Sequence, residues 1–284
     1  MNLSPCKKAN VLIESLPYIK SFYNEIVVIK YGGHAMINEE LKCGVIKDIV
    51  LMKFVGMNPI IVHGGGPDIT DFMKKLGKKA EFIDGLRVTD EETMEITEMV
   101  LFGKINREIV SRINANGVKS IGISGKDGGT FRAKQKKPEL GLVGKIEEVD
   151  VDLINTIINK GYIPVVSPIA YGGGGKTFNI NADEVAGRLA AELNAKKLIL
   201  ITDVKGIMRK QNDSSTVISQ IKTEEIKEYI DRGIITGGMI PKIKCCFEAV
   251  KGGVERAHII DGRKPHSILL EIFTNEGIGT MITN

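Results

Sequence analysis

The sequence predicts an α/β protein with an open, mainly parallel β-sheet sandwiched between layers of helices. Apolar runs of strand length alternate with helix-length periodic segments, which is the rhythm of repeated βαβ units. The strand segments are rich in Ile and Val and alternate little, as strands do when helices cover both faces of a sheet. With 284 residues, the chain is long enough to bury one large core or to form two lobes.

The chain before the first strand is predicted to be an amphipathic helix. Its apolar residues recur at helical spacing: Leu12, Leu16, Ile19 and Phe22. Pro17 lies within this segment and is expected to kink or break the helix. A helix that precedes a complete α/β unit either packs on its own domain or reaches a neighbouring subunit.

Six apolar runs are predicted strands: IVVIKY (26–31), PIIVHG (59–64), KSIGIS (119–124), YIPVVS (162–167), KLILIT (197–202) and RAHIID (256–261). Helices are predicted at 39–56, 66–77, 91–116, 151–160, 182–194, 223–231, 239–251 and 266–273. The segment 125–150 interrupts this order, because its alternating residues are typical of an antiparallel hairpin.

Composition excludes several functional classes. The chain has 39 Lys and Arg against 35 Asp and Glu, a formal charge of +4. Basic residues form no run of five, which argues against a dedicated nucleic-acid surface. No apolar run approaches 18 residues, so no membrane span is expected. The four cysteines form no C-x-x-C pair and the N-terminus lacks an apolar signal core, so we expect free thiols and a cytoplasmic protein.

Two predicted strands end in glycine-rich turns beside an ionisable side chain. Lys30 stands in an apolar run before Gly32-Gly33, where a lysine is costly unless it reaches solvent or meets an anion. The next strand ends in HGGG. Its glycines, residues 64–66, allow backbone N–H groups to surround an anion at a helix start, and a plain tight turn is the alternative. We interpret His63 as a hydrogen-bonded residue at a strand end rather than as an acid or base.

Lys242 lies in the first turn of the helix predicted at 239–251. The pair Gly237-Gly238 precedes this helix, and Pro241 is of the type favoured at the first helical position. A helix N-terminus carries a partial positive charge, so a lysine there is unfavourable unless an anion binds beside it. Glycines, helix start and ammonium group together indicate a phosphate site. The alternative is a solvated surface lysine.

A capping box is predicted at the start of the helix that follows GLRVTD. Thr89 and Glu92 have the spacing of such a box. Arg87 is then left in the preceding loop, where its forked guanidinium can grip a carboxylate. An ordinary surface arginine is the alternative.

A second capping box is predicted at Asn181 and Glu184. Asp183, in the first turn of the same helix, also suits the helix dipole, so structural roles are sufficient for all three residues. Asn179 lies before the helix, and the cap does not explain it.

One glycine-rich segment, AYGGGGKT (170–177), matches the loose pattern of a phosphate-binding loop. In that motif the lysine and threonine begin a helix. Here the extended, β-branched stretch TFNI follows the glycines, so we reject the motif.

Six motifs, in order along the chain, resemble those of the amino acid kinase family. They are IKYGG (29–33), VHGGGP (62–67), GLRVTD (85–90), FNINADEVA (178–186), TDVKGI (202–207) and GIITGGMIPK (233–242). GLRVT and NINAD are similar to segments of the members that phosphorylate N-acetyl-L-glutamate. The resemblance runs from the first strand to the C-terminus and implies an open, eight-stranded, mainly parallel sheet between helix layers.

The resemblance also implies a division of the chain and a reaction. Residues 1–25 would be an oligomerisation helix, residues 26–178 a lobe that binds acetylglutamate and forms a dimer, and residues 179–284 a lobe that binds ATP and contains an arginine site. The reaction would pass the γ-phosphoryl group of ATP, which carries Mg²⁺, to the side-chain carboxylate of N-acetyl-L-glutamate. The product is an acyl phosphate, in the second step of arginine biosynthesis. The nucleophile is already ionised at neutral pH, so no general base is required.

The residue roles follow from the same resemblance. The implied catalytic residues are two lysines that hold the transferring group from two sides and an aspartate that orients them: Lys30, Lys242 and Asp183. The implied substrate-binding residues are Gly65, Gly66, Arg87 and Asn179. The residues implied to line the nucleotide pocket are Gly32, Gly33, Asp203, Val204, Lys205, Gly206, Ile207, Met208, Gly237, Gly238 and Met239. No side chain is implied as a metal ligand.

Both ends of the chain are similar to arginine-inhibited members of the family, through LIESLPYIKSF (12–22) and HIIDGRKPHSILLEIFTNEGIGTMI (258–282). The similarity implies a homohexamer, three dimers joined by N-terminal helices, inhibited by L-arginine. The candidate effector residues are Tyr18, His266, Glu271, Gly277 and Gly279. Alternatives are a solvated helix residue for the glutamate and a turn for the glycines. Some inhibited members also bind a PII nitrogen-signalling protein, which the sequence leaves open.

Two other functions are compatible with the residues. One is a non-catalytic α/β binding module in which the lysines and the aspartate are incidental. The other is a related carboxylate kinase that acts on aspartate or glutamate, against which GLRVT argues.

Overall fold

The computed structural model describes residues 4–36, 38–210, 213–274 and 277–284. Its strands, in chain order, are β1 (Ile26–Tyr31), β2 (Asn58–His63), β3 (Phe82–Ile83), β4 (Leu86–Arg87), β5 (Ser120–Ser124), β6 (Phe131–Gln135), β7 (Gly144–Val149), β8 (Ile163–Ser167), β9 (Ile169–Tyr171), β10 (Thr177–Asn179), β11 (Lys197–Thr202), β12 (Gln220–Lys222), β13 (Arg256–Asp261) and β14 (Thr280–Thr283). All six predicted strands are present, displaced by one residue at most. The short strands β3, β4, β9, β10, β12 and β14 were not predicted.

The helices are α1 (Pro5–Phe22), α2 (Glu39–Phe54), α3 (Gly66–Lys75), α4 (Glu91–Glu98), α5 (Arg107–Ala115), α6 (Asp152–Asn159), α7 (Ala182–Glu192), α8 (Ile226–Asp231), α9 (Met239–Lys251) and α10 (Ser267–Phe273). A segment of π-helix, Met99–Asn106, joins α4 to α5, so the helix predicted at 91–116 changes its winding in the middle. Within the described residues, no helix has both the length and the apolar character needed to cross a membrane.

The main sheet has eight strands in the order β12-β14-β13-β11-β1-β2-β8-β5. Every pairing from β13 to β5 is parallel, whereas β14 runs antiparallel to β13 and parallel to β12. The predicted open, mainly parallel sheet is confirmed. Because parallel strands end at the same edge, the loops after β1, β2, β8 and β11 lie together, and ligands of such sheets bind there.

Alternate residues of the central strands enter two hydrophobic clusters, one on each face of the sheet. Val28 and Val62 belong to the cluster that α7 and α9 cover, and Val27 and Ile29 to the cluster that α2 and α10 cover. All four side chains are completely buried. Each such burial stabilises the fold by about 1.5–3 kcal/mol. Coverage of both faces explains why these strands show little polar alternation.

A second sheet has four strands in the order β10-β9-β6-β7. β6 and β7 pair antiparallel, which confirms the hairpin predicted at 125–150. β9 and β10 form another antiparallel hairpin, and the glycines of AYGGGGKT turn the chain between them. Since a strand follows these glycines, rejection of the phosphate-loop motif is confirmed.

Two local predictions are wrong. Pro17 does not end α1, because the loss of one hydrogen bond is tolerated within a helix of 18 residues. Asp90, a stronger capping residue than Thr89, caps α4 and accepts a hydrogen bond from the N–H of Thr93 (2.8 Å). The prediction for α9 is confirmed: the helix has the predicted bounds, and Pro241, its third residue, lies in the first turn, where an N–H needs no partner inside the helix.

Candidate active site

A cavity of about 300 Å³ opens where β1 and β2 end. Its wall contains all seven residues predicted to act in catalysis or to bind the substrate: Lys30, Gly65, Gly66, Arg87, Asn179, Asp183 and Lys242. These residues are far apart in the sequence, and the shared edge of the parallel sheet brings them together.

Asp183 lies between the two lysines. Its Oδ1 is 3.0 Å from Lys30 Nζ, and its Oδ2 accepts a hydrogen bond of 2.7 Å from Lys242 Nζ. Burial acts to raise the pKa of Asp183, but the two ammonium groups outweigh it and hold the pKa at about 2. The lysine side chains are only 12% and 23% exposed, so the alternatives in which they reach solvent are wrong.

This cluster has more positive than negative charge. Two ammonium groups against one carboxylate leave a net charge of +1. In a largely buried position, an uncompensated charge is costly, so the cluster favours a bound anion.

The glycine turn at residues 64–66 contributes N–H groups to the same cavity. α3 begins at Gly66, and the first N–H groups of a helix have no acceptor within it. A Cβ at Gly65 would displace the methyl groups of Leu101 and Ile105 in the π-helical segment, so the absence of a side chain keeps the turn closely packed. Gly65 and Gly66 can therefore present N–H groups to an anion.

Arg87, on β4, is buried and is not an ordinary surface arginine. Its guanidinium donates hydrogen bonds to the Gly66 carbonyl (2.9 Å) and Thr70 Oγ1 (2.8 Å) and stacks 4.8 Å from the centre of the Phe82 ring. Burial lowers its pKa. These contacts, which sequence analysis did not identify, orient a planar fork that can hold a carboxylate through two parallel hydrogen bonds.

Asn181 caps α7, as predicted, and so fixes the first turn that carries Asp183. Its Oδ1 accepts hydrogen bonds from the N–H groups of Asp183 (2.8 Å) and Glu184 (3.3 Å). The predicted capping box is incomplete, because the Glu184 carboxylate instead accepts from the N–H of Ile146 (3.1 Å) and ties α7 to β7. Asn179, at the end of β10, lines the cavity two residues before this cap.

Cys245 links α9 to α7 behind the charged cluster. Its Sγ–H donates to the backbone carbonyl of Asp183 at 2.8 Å. A Cβ at Gly187 would lie 2.6 Å from this sulfur, so the glycine permits the close approach of the two helices. Because Asp183 lies on α7 and Lys242 on α9, this contact sets their separation. Sequence analysis missed both residues, and the glycine inside a helical pattern was the available signal.

His63, at the end of β2, is completely buried and hydrogen-bonded through both ring nitrogens. Its interpretation as a satisfied residue at a strand end is confirmed.

Three of the eleven predicted nucleotide residues line two further cavities. One, of about 970 Å³, shares Asp183 and Lys242 with the first cavity and is also lined by Gly237 and Gly238. Other basic residues in its wall are Lys136, Lys145, Arg188 and Lys244. The other cavity, of about 620 Å³, is lined by Lys205.

The other eight predicted nucleotide residues do not line either of these two cavities. Gly32 and Gly33 follow β1, and a Cβ at Gly33 would press on the Asp203 carboxylate. Ile207 is buried in the core and donates its N–H to Thr280 Oγ1 (2.8 Å). The others follow β11 or start α9: Val204, Gly206, Met208 and Met239. Among the side chains that the structure describes, no three His, Cys, Asp or Glu residues converge as a metal site requires.

A separate cavity of about 570 Å³ contains four of the five predicted effector residues: Tyr18, Glu271, Gly277 and Gly279. Tyr18 reaches from α1 and packs edge-on against Phe273, with ring centres 6.5 Å apart. The two glycines have φ values of 57° and 91°, which suits a turn. His266 lies apart, where its Nδ1 is 2.6 Å from Asp48 Oδ1 on α2. The predicted run 258–282 includes two residues, 275 and 276, that lie outside the described part of the chain.

Glu271 is buried and paired, so its interpretation as a solvated helix residue is wrong. Its Oε1 is 2.7 Å from His258 Nδ1 and 3.1 Å from Lys197 Nζ. Burial acts to raise its pKa, but the hydrogen bond with His258 and the ammonium group of Lys197 outweigh burial and hold the pKa at about 2. Sequence analysis identified neither partner.

An excess of positive charge at the strand ends of a parallel sheet, shared between a small and a large cavity, is the arrangement of a small-molecule kinase. The chain belongs to the amino acid kinase family, whose sequence model matches residues 25–261. It is 69% identical to the acetylglutamate kinase of Alkaliphilus metalliredigens, over 100% of this chain and 90% of that protein. The acetylglutamate kinase of Pelotomaculum thermopropionicum is 56% identical, over 98% of this chain and 99% of its own.

A solved structure has a similar fold. The N-acetylglutamate synthase from Neisseria gonorrhoeae, complexed with coenzyme A and N-acetyl-glutamate, has a TM-score of 0.85 at 24% identity. The match covers 97% of this chain and 63% of the synthase, and at this identity the likeness concerns the fold alone.

Proposed function

We propose that this protein transfers the γ-phosphoryl group of ATP to the side-chain carboxylate of N-acetyl-L-glutamate, in the second step of arginine biosynthesis. The observation that carries the proposal is the cluster of Lys30, Asp183 and Lys242, whose net positive charge lies where the two cavities meet. The identity of 69% to an acetylglutamate kinase over the whole chain supports this choice of substrate.

In this mechanism, the protein positions two anions and neutralises their charge. Phosphoryl transfer needs little covalent chemistry from the protein, and the carboxylate nucleophile is already ionised. Lys30 and Lys242 hold the equatorial oxygens of the transferring group from two sides, while Asp183 keeps their ammonium groups in place. N–H groups of Gly65 and Gly66 donate to the same oxygens.

Acetylglutamate occupies the smaller cavity, most of whose wall comes from residues 26–178, and Arg87 binds its α-carboxylate. ATP occupies the larger cavity, most of whose wall comes from residues 179–284 and whose basic side chains complement a triphosphate. Mg²⁺ arrives with the nucleotide, since this ion usually keeps its waters and is bound mostly through substrate phosphates. It supplies charge neutralisation, and no protein ligand for it is proposed.

A substrate panel tests the proposal. The protein is incubated with MgATP and either acetylglutamate, glutamate or aspartate, and the acyl phosphate is trapped with hydroxylamine. Trapped product with acetylglutamate alone is the expected result. Product with aspartate or glutamate instead would identify a related carboxylate kinase, and no product with any acceptor would favour a non-catalytic binding module.

Arg87→Ala is expected to raise the KM for acetylglutamate about 10- to 100-fold, because a hydrogen-bonded charged group contributes about 1.5–3 kcal/mol. The KM for ATP should change little. Arg132→Ala, which removes a half-exposed arginine paired with Glu148 on the surface, is the matched control and should leave both constants unchanged. An effect of Arg87→Ala confined to ATP would refute the assignment.

The proposal extends to regulation: L-arginine inhibits the enzyme from the cavity that contains Glu271, and the protein is a hexamer of three dimers joined through residues 1–25. Two observations support it. α1 exposes large apolar side chains, with Leu12 69% and Ile13 67% exposed, which is a surface suited to a neighbouring subunit. Tyr18 of the same helix lines the Glu271 cavity, so displacement of α1 would alter the effector site.

The double variant Leu12→Asp, Ile13→Asp is expected to change a hexamer into a dimer that is active but insensitive to arginine. Point changes are preferred to deletion of α1, because Phe22 at its end is buried in the core. Light scattering after gel filtration measures the mass, and arginine titration measures inhibition. Leu76→Asp, at a residue 57% exposed elsewhere, is the control. A double variant that remains hexameric would contradict the proposal.

Two further points belong to this proposal. A PII signalling protein is a candidate partner of the hexamer, testable by co-elution in the same gel filtration. The cytoplasm is the proposed compartment, because the exposed thiols of Cys6 and Cys43 are free, as is usual in a reducing environment.

A further inference from the structure

A buried chain of polar side chains ends at the glycine turn of the active site, and the mechanism above does not use it. His63 Nδ1 lies 3.0 Å from the Gly64 carbonyl oxygen, and its Nε2 lies 3.0 Å from Ser167 Oγ at the end of β8. Asn106, the last residue of the π-helical segment, lies within hydrogen-bonding distance of both: its Nδ2 is 3.1 Å from Ser167 Oγ and 3.3 Å from His63 Nε2. All three side chains are completely buried.

The chemistry of these partners fixes the direction of each hydrogen bond. A carbonyl oxygen can only accept, so His63 Nδ1 carries the proton and donates it to Gly64. His63 Nε2 must then be the acceptor, which matches the hydroxyl of Ser167 as donor. The two amide hydrogens of Asn106 are directed to the Val165 carbonyl (2.9 Å) and Ser167 Oγ (3.1 Å), and Nε2 is a longer contact of the same amide. Asn106 Oδ1 in turn accepts from the Arg107 guanidinium (2.7 Å). Burial lowers the pKa of His63 to about 4, so the ring is neutral at pH 7.

The Gly64–Gly65 peptide connects this chain to the cavity. Peptide bonds in the described residues are trans, and in a trans peptide the C=O and N–H groups point in opposite directions. A carbonyl held by His63 on the core side therefore turns the Gly65 N–H away from the core, towards the cavity that Gly65 lines.

The other backbone groups of the turn are also fixed. The Gly64 N–H donates to the Tyr31 carbonyl (2.9 Å), and the Gly65 carbonyl accepts from the Ile69 N–H (3.0 Å). The Gly66 carbonyl accepts from Arg87. The N–H groups of Gly65 and Gly66 are left for a ligand. The orientation of the Gly65 N–H depends on the Gly64–Gly65 peptide, whose carbonyl His63 holds.

We propose that His63 is a positioning residue: its Nδ1–H fixes the Gly64–Gly65 peptide so that the Gly65 N–H donates to the transferring phosphoryl group. Ser167 and Asn106 hold the imidazole in the tautomer that this requires. The inference rests on the proposed phosphoryl transfer and assigns a function to a histidine that transfers no proton itself.

Two variants of His63 test the roles of the two ring nitrogens separately. In His63→Asn, the side-chain amide nitrogen can occupy the position of Nδ1, since both atoms are bonded to Cγ, so the donor to Gly64 is kept. In His63→Gln, the side-chain amide reaches the position of Nε2 and the donor to Gly64 is lost. Both changes remove the ring and part of its packing, so each is the matched control for the other.

We expect His63→Gln to lower kcat about 10- to 100-fold, less than the roughly 10²- to 10³-fold lost when a donor to a transition-state oxygen is removed outright, because the Gly65 N–H is misplaced rather than absent. The KM for acetylglutamate should stay near the wild-type value. His63→Asn should keep most of the wild-type kcat, although its loss of thermal stability should be similar to that of His63→Gln. Equal losses of kcat in both variants, or losses that follow the drop in Tm, would overturn the proposal.

Nitrogen NMR of protein labelled on its histidines provides a test that does not depend on activity. The spectrum should contain a neutral imidazole protonated at Nδ1 that does not titrate between pH 6 and 8, and this signal should be absent from His63→Asn. A His63 protonated at Nε2 would overturn the proposal. Failure of the proposed function would be recognised separately, as wild-type protein that forms no acyl phosphate from acetylglutamate.

Discussion

We expect Lys242→Ala to lower kcat about 10²- to 10³-fold, the usual effect of removing one group that stabilises charge in a transition state. The KM values for ATP and acetylglutamate should change far less, because the contact strengthens as the phosphoryl group moves. The structure supports this separation: Lys242 Nζ is held by Asp183 at 2.7 Å, so its position is set before any substrate binds.

Lys251→Ala is the matched control for this variant. Lys251 is the last residue of the same helix, α9, and its side chain is exposed, so the change alters the charge of the helix without touching the cavity. Its kcat should equal that of the wild type. Unchanged kcat with a raised KM in Lys242→Ala would show that the lysine binds the ground state only.

The second large effect concerns stability. Glu271→Gln is expected to lower the free energy of unfolding by about 3–5 kcal/mol, because removal of one partner leaves a buried charge uncompensated. That charge is Lys197, whose side chain is 6% exposed and has Glu271 as its carboxylate partner at 3.1 Å. Urea denaturation of the wild type and the variant measures the difference.

A neighbouring ion pair provides the control. Lys196 and Glu255 are paired with side chains that are 30% and 44% exposed, and exposed pairs contribute about 0–1 kcal/mol. Glu255→Gln should therefore cost at most about 1 kcal/mol. Equal losses in Glu255→Gln and Glu271→Gln would mean that burial does not determine the energy of the Glu271 cluster.

The stabilising effect of Glu271 should also depend on pH. Its folded pKa of about 2 lies below the ordinary value of 4.5, so its ionisation stabilises the folded state fully above pH 4.5. This contribution is lost as the pH falls through the folded pKa. The difference in free energy of unfolding between wild type and Glu271→Gln should therefore narrow between pH 4.5 and about 2 and stay constant at higher pH. A difference that grows on acidification would contradict the assigned pairing.

The sequence predicted the parts of the fold that have a strong period. Runs such as KLILIT became strands with the predicted bounds, because long apolar segments covered on both faces leave little choice of structure. Strands of two to four residues, such as Phe82–Ile83, have no detectable period and were missed. The cap of α4 was misplaced by one residue because Thr89 and Asp90 are both capping types.

The candidate site was predictable where unusual residues follow strand ends. Lys30 and Lys242 stood out because a lysine is unfavourable both inside an apolar run and at a helix N-terminus. Contacts such as Cys245 Sγ–H to the Asp183 carbonyl depend on how two distant helices pack, which local patterns do not encode. The pairing of Lys197 with Glu271 similarly depends on β11 and α10 meeting in the fold.

The central claim is that Lys30, Asp183 and Lys242 hold the transferring phosphoryl group more tightly than they hold either substrate. Aluminium fluoride, bound together with ADP, Mg²⁺ and acetylglutamate, mimics the transferring phosphoryl group. Calorimetric titration with these components measures directly how tightly the protein binds the mimic. We predict that Lys242→Ala weakens binding of the mimic about 10²- to 10³-fold and binding of a non-hydrolysable ATP analogue far less. If Lys242→Ala weakened binding of the mimic and binding of the ATP analogue equally, the claim that the cluster holds the transferring group most tightly would be contradicted.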